Sequence, residues 1–178
     1  QPTEPTNPTE PTNPTNPVDP GTFTPDYIET FDNSTATTDY NDGTFTGVNG
    51  VVWSFVHSRD EQEFPINGKG IMLRRNDEPS SLSASFKNGI GSLSFEYRKA
   101  YTGGSVRNYK IDVTQNGVTK TYEITVFGEG SGEQTDVYTF ALKLDLSGDV
   151  QIKIYAAGSK AGNQQAVFDN FKWTNHKA

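Results

Sequence analysis

From Asp26 onward the apolar side chains recur with a period of two. Leu93, Phe95 and Tyr97 alternate with Ser94, Glu96 and Arg98, and Tyr109, Ile111 and Val113 alternate with Lys110, Asp112 and Thr114. The same spacing returns in Tyr122–Ile124–Val126, in Tyr138–Phe140–Leu142–Leu144 and in Val150–Ile152–Ile154. Successive side chains of a β-strand point to opposite faces, so each run describes a strand with one face in a core and one in water. No segment holds a period of 3.6 over ten residues. Turn pairs separate the runs: Asp42-Gly43, Asn49-Gly50, Asn67-Gly68, Asn88-Gly89, Asn116-Gly117 and Ser147-Gly148. Asn116-Gly117, between two alternating runs, predicts a hairpin with a type I′ turn, because these residues accept two consecutive positive φ values. About ten or eleven strands are expected, near 27–31, 44–47, 51–57, 70–74, 81–87, 92–99, 107–115, 118–127, 136–144, 149–156 and 165–174. A chain of this size with that pattern closes naturally as an all-β, two-sheet antiparallel jelly-roll sandwich.

Residues 1–25 follow another rule. Eight of the ten prolines lie there, and residues 2–16 are the triplets PTE, PTN, PTE, PTN and PTN. Apart from proline, the first apolar side chain is Val18. Such a segment has no surface to bury against a core, and regularly spaced proline favours extended polyproline II. At roughly 3.1 Å per residue it would span on the order of 60 Å. We read residues 1–25 as a tether and residues 26–178 as the folded domain. The threonines of the tether are also candidate sites for O-glycosylation.

Composition removes several classes of function. With no Cys there is neither a disulfide nor a thiolate site, and two His argue against a multi-histidine metal centre. A net charge of −7 argues against a duplex-binding surface. No run of 18 apolar residues is present, so no membrane-spanning helix is expected. The chain begins with Gln rather than Met, which we read as a mature or excised piece of a longer protein.

Three segments carry a resemblance. The Pro-Thr repeat resembles the linkers of secreted bacterial polysaccharide-degrading enzymes. The first expected strand, Tyr27-Ile28-Glu29-Thr30-Phe31-Asp32, and the last, Val167-Phe168-Asp169-Asn170-Phe171-Lys172-Trp173, resemble the opening and closing strands of galactose-binding-like jelly rolls. Many carbohydrate-binding modules have that fold. The middle, with Val52-Trp53-Ser54-Phe55, Gly68-Lys69-Gly70-Ile71-Met72-Leu73-Arg74 and Gly89-Ile90-Gly91-Ser92-Leu93-Ser94-Phe95, resembles accessory β-sandwich modules appended to secreted bacterial nucleases and glycosidases. The resemblance implies an extracellular or cell-surface bacterial accessory module, fused through its linker to a catalytic or surface protein. It also implies a structural Ca²⁺ near Glu29, Asp32 and Asp169, since carboxylates and carbonyls suit that ion. From their spacing alone, the favoured reading is that these acids cap strand ends or hydrogen-bond turns.

For catalysis the residues offer little. His57, followed by Arg59, Asp60, Glu61 and Glu63, is a conceivable general base, but no nucleophile elbow, zinc helix or phosphate loop accompanies it. Sugar recognition uses aromatic faces beside planar or hydroxylic hydrogen-bonding groups. The candidate ligand contacts are Tyr101, Arg98, Arg107, Arg74, Trp53 and His57, with Tyr155 also eligible. Tyr101 sits in a loop beside Gly103 and Gly104, and alternation turns Arg98 away from Phe95 and Tyr97. A lone Trp in Val51-Val52-Trp53-Ser54-Phe55 is core more often than platform. The leading expectation is a non-catalytic module binding a polysaccharide or glycan. The alternatives are a structural or adhesive surface module, and a nucleic-acid-binding accessory using Arg74, Arg75, Arg98, Lys99 and Arg107 with interleaved tyrosines, which the net charge opposes.

Overall fold

The computed structural model describes residues 22–74, 80–157 and 164–177. Eleven strands lie within them: β1 (Tyr27–Glu29), β2 (Asn41–Thr46), β3 (Val52–Glu61), β4 (Gly70–Leu73), β5 (Ser81–Phe86), β6 (Ile90–Lys99), β7 (Arg107–Gln115), β8 (Val118–Phe127), β9 (Val137–Leu146), β10 (Val150–Ala156) and β11 (Ala166–Trp173). The expected all-β class and the order of strands are those observed, although β2 begins at Asn41 rather than 44 and β3 runs to Glu61 rather than 57. Residues 1–21 of the tether lie outside the described residues.

All pairings are antiparallel, along one path in the order β8-β7-β10-β5-β3-β4-β11-β6-β9, with β2 added to β3 and β1 to β11. The path becomes two sheets because β3 serves both. Its first half pairs with β5, from Val52↔Ser85 to Val56↔Ser81, and its second half pairs with β4, from Ser58↔Leu73 to Glu61↔Gly70. His57 stands between the two ladders at φ 44°, a left-handed backbone that turns the strand through the corner. The first sheet is therefore β8-β7-β10-β5-β3 with β2, and the second is the end of β3 with β4-β11-β6-β9 and β1.

The inward positions of both sheets form one core. Trp53, Phe55, Phe86, Tyr109, Ile111 and Ile154 from the first sheet meet Ile71, Leu93, Phe95, Phe168, Phe171 and Trp173 from the second. Aromatic rings supply much of the bulk: Trp53 makes edge contacts with Phe31 and Phe171 at 4.9 and 5.1 Å between centroids, and Phe95 stacks on Phe171 at 5.7 Å. The β7–β8 hairpin turns on Asn116 (φ 51°) and Gly117 (φ 77°), the type I′ geometry expected for that pair.

The second sheet departs from simple alternation at two places. β3 continues to Glu61 although Arg59, Asp60 and Glu61 are charged, because residues 62–69 cover the outer face of the second sheet there. β11 is bulged between Asp169 and Lys172, with Asn170 at φ 49°. On either side of the bulge, β4 pairs with Ala166–Phe168 and β1 with Phe171–Trp173, which leaves Asp169 facing the gap between them.

Candidate functional site

The outer face of the first sheet is built by alternation. β5 reads Ser-Leu-Ser-Ala-Ser-Phe, so Leu82, Ala84 and Phe86 enter the core and the serines take the outer side, where Ser83 and Ser85 are half-buried and Ser81 is covered. Strand register places Gln151, Lys153 and Tyr155 of β10 opposite Ser85, Ser83 and Ser81, and opposite Thr114, Asp112 and Lys110 of β7. A groove of about 240 Å³ crosses these three strands, lined by Ser83, Ser85, Asp112, Thr114, Gln151 and Lys153. Serine is small, so β5 forms a low floor between longer neighbours, and on its far side Val52 of β3 stands 49% exposed.

The charges of this face are unequally satisfied. Asp112 accepts hydrogen bonds from the Thr121 hydroxyl (2.6 Å) and the Tyr155 hydroxyl (3.2 Å). Burial, reinforced by the Asp112 charge, pushes the Tyr155 phenol above its ordinary value. Lys110 pairs with Glu123 at 2.9 Å. Lys153, directly across from Asp112, instead holds its ammonium over the Tyr155 ring, 5.7 Å from the centroid. The groove thus offers hydroxyls, an amide, a carboxylate, an ammonium and the partly exposed ring of Tyr155. This is an inventory for a polyhydroxylated ligand. Only Tyr155 among these residues stood out in the sequence. The signal for the rest was a whole column of small hydroxyls on one strand face.

The second sheet is covered instead. Residues 62–69 form a strap held by two buried acids, Glu61 and Asp169, and by the exposed Asp32. Glu61 accepts the amides of Glu63 and Phe64, Asp169 accepts that of Asn67 (3.0 Å), and Asp32 accepts that of Lys69 (3.1 Å). Arg98 donates to the Pro65 carbonyl at 3.0 Å and to the Gln134 carbonyl at 3.2 Å. Under the strap, Met72, Ala100 and Val167 pack against Phe64, Ile66, Tyr40 and Tyr101 in a second small apolar cluster.

The sequence-derived ligand set is dispersed by this arrangement. Trp53 is fully buried in the core, so its ring is no platform. Arg107 is also fully buried. Its guanidinium donates to the carbonyls of Ala100, Gly103, Ser105, Gly128 and Gln165, at 2.6–3.3 Å. Arg98 is 7% exposed and holds the strap rather than facing solvent. Alternation did send Arg98 outward, but outward here is beneath a covering segment. Lys99 is also buried and donates to the Gly130 carbonyl, so Arg98, Lys99 and Arg107 offer no exposed basic patch to nucleic acid, while Arg75 lies outside the described residues. His57 marks the sheet corner, and its amide donates to Asp42. Tyr101 and Arg74 are linked through Tyr40 and Arg59, which the sequence did not single out as ligand contacts. Arg59 lies 5.6 Å from the Tyr40 centroid and 5.8 Å from that of Tyr101, and Arg74 lies 5.1 Å from Tyr40.

The residues expected to hold Ca²⁺ do not fit the ion as a set. The two Glu29 oxygens accept the amides of Phe31 (2.9 Å) and Val48 (2.8 Å), close beneath Gly47. Both Asp169 oxygens are engaged by the amides of Asn67 and Asn170, and Asp32 is bonded by Thr30 and Lys69. Among the described residues no three acids are grouped to hold a metal. Asp169 is fully buried, and burial raises its carboxyl to about 7 despite its two backbone donors.

No family model and no curated protein matches the sequence. Solved structures with a similar fold include TmCBM61 in complex with β-1,4-galactotriose, at 12% identity over 82% of this chain and 94% of that one, with a TM-score of 0.48. The K2 cleaved adhesin domain of Lys-gingipain is similar at 13% identity over 83% and 98%, with a TM-score of 0.49. A carbohydrate-binding module CBM36 in complex with calcium and xylotriose is similar at 14% identity over 78% and 96%, with a TM-score of 0.43. No helix among the described residues is long and apolar enough to cross a membrane.

Proposed function

We propose that this domain is a non-catalytic, extracellular glycan-binding module carried on a Pro-Thr tether. The observation that supports the reading is the groove across β5, β10 and β7. It presents hydroxyl, amide, carboxylate and ammonium groups beside one aromatic ring, on a face that no other described residue covers. A sugar chain lying there exchanges hydrogen bonds with Ser83, Ser85, Thr114 and Gln151, and Tyr155 offers ring surface at one end. Affinity gel electrophoresis against soluble polysaccharides tests the reading, with Ser83→Trp filling the groove floor. Binding by the parent and its loss in Ser83→Trp, with an unchanged melt, is the expected result. If Ser83→Trp binds as the parent does while Tyr101→Ala does not, the contact surface is the Tyr40–Arg59–Tyr101–Arg74 cluster instead.

A second reading, an adhesive or structural module, has its own support. Val126 on β8 (56% exposed) and Val137 and Tyr138 on β9 (46% and 37%) are exposed apolar residues on the strands that end the sheet path, where backbone groups are available for pairing. Concentration-dependent self-association that Tyr138→Lys removes would favour it.

A further inference from the structure

The groove contains a charge that its surroundings do not answer. Lys153 occupies the middle row of the face, between Ser83 of β5 and Asp112 of β7. A lysine directly across from an aspartate normally pairs with it. Here Asp112 is already taken by two hydroxyl donors, Thr121 and Tyr155, and the neighbouring Lys110 is taken by Glu123. The Lys153 ammonium is left with only the Tyr155 ring among the described residues. A cation over an exposed ring gains little, on the order of 0.5–1 kcal/mol. The group is therefore a solvent-exposed cationic donor lining a groove of hydroxyls, with room beside it for a ligand anion.

The whole molecule limits what that anion can be. A net charge of −7 repels a polymer ionised at every unit. A chain that is neutral over most of its length and carries occasional carboxylates escapes that repulsion, and still supplies one partner for one ammonium. We infer that the groove is selective for a sparsely acidic glycan, a neutral sugar chain bearing isolated uronic acid residues, with Lys153 pairing the carboxylate. This rests on the glycan-binding reading above and specifies its ligand class.

The test uses two probes. One is a neutral oligosaccharide carrying a single uronic acid residue, and the other is the same molecule with its carboxyl reduced to a primary alcohol. Calorimetric titration of the full chain is expected to show the acidic probe binding roughly fivefold more tightly, the scale of one partly exposed ion pair. Lys153→Gln should bring the ratio of the two affinities to about one, Lys153→Arg should keep it, and salt near 0.5 M should narrow it by screening. Equal affinities in the parent, or a preference that persists in Lys153→Gln, would overturn the inference. In that case, binding of both probes that Ser83→Trp abolishes leaves the glycan-binding reading intact. If neither probe nor any soluble polysaccharide binds, both the inference and that reading fail.

Discussion

Replacing Arg107 with Met keeps most of the side-chain volume and removes the charge and every donor. The guanidinium now answers five carbonyls drawn from three loops at one end of the sandwich: Ala100, Gly103 and Ser105 from the β6–β7 loop, Gly128 from the β8–β9 loop, and Gln165 ahead of β11. Hydrogen bonds to a charged group contribute roughly 1.5–3 kcal/mol each when counted singly. Five of them cannot be summed, because burying a guanidinium itself costs several kcal/mol, and this the variant recovers. The loops lie at the rim, so water reaches part of what is orphaned. We expect a net loss of about 3–5 kcal/mol, from several buried carbonyls left unsatisfied at about 1–3 kcal/mol each, less that recovered cost. At about 2–4 °C per kcal/mol for a domain of this size, the melting temperature should fall by roughly 10 °C. Circular dichroism melts measure this directly. Hydrogen exchange should quicken at Gly130 and Gly132, whose amides bond across the same loops to Gly104 and Thr102. A melt within about 2 °C of the parent, with glycan affinity lost, would refute the structural role and return Arg107 to the ligand surface.

Asp169 gives a pH signature. Its folded carboxyl is raised to about 7, so between about pH 4 and 7 the folded protein holds a proton that the unfolded chain has released. Its contribution to stability is therefore full at low pH and is lost as pH rises through 7, and melts of Asp169→Asn should lack this component. A parent and variant with parallel pH profiles would contradict the assignment. Calcium and chelator should leave the melting temperature unchanged, because the Glu29 and Asp169 oxygens already hold backbone amides; a rise in calcium that Asp169→Ala abolishes would restore the metal site. Deleting residues 1–20 should leave the melt within about 2 °C, since Val18 is the one apolar side chain there besides proline, and a larger drop would mean that the tether docks. Gly128→Ala should destabilise the β8–β9 loop in a thermal melt, because its φ of +70° is strained for alanine and the new Cβ would lie 2.8 Å from Arg107.

The strands, the hairpin at Asn116-Gly117 and the inward-facing residues were legible because alternation and turn chemistry are local properties. Leu93, Phe95 and Tyr97 declare a buried face wherever the strand is placed. The serines of β5 were legible in the same way, as residues that face outward. What alternation cannot say is whether outward means solvent. Ser83 and Arg98 both point away from the core, yet one lines an open groove and the other lies under a strap.

That difference was decided by tertiary structure. The strap reaches Arg98 from 33 residues away, and the bulge of β11 brings Asp169 to Asn67 across 102 residues. Arg107 is enclosed because three loops, distant in sequence, turn their carbonyls toward one point. Alternation by itself determined an all-β sandwich, its core and its two outer faces. Which face stays open, and which charges are spent on backbone rather than offered to a ligand, depended on long-range contacts that leave no periodic trace in the chain.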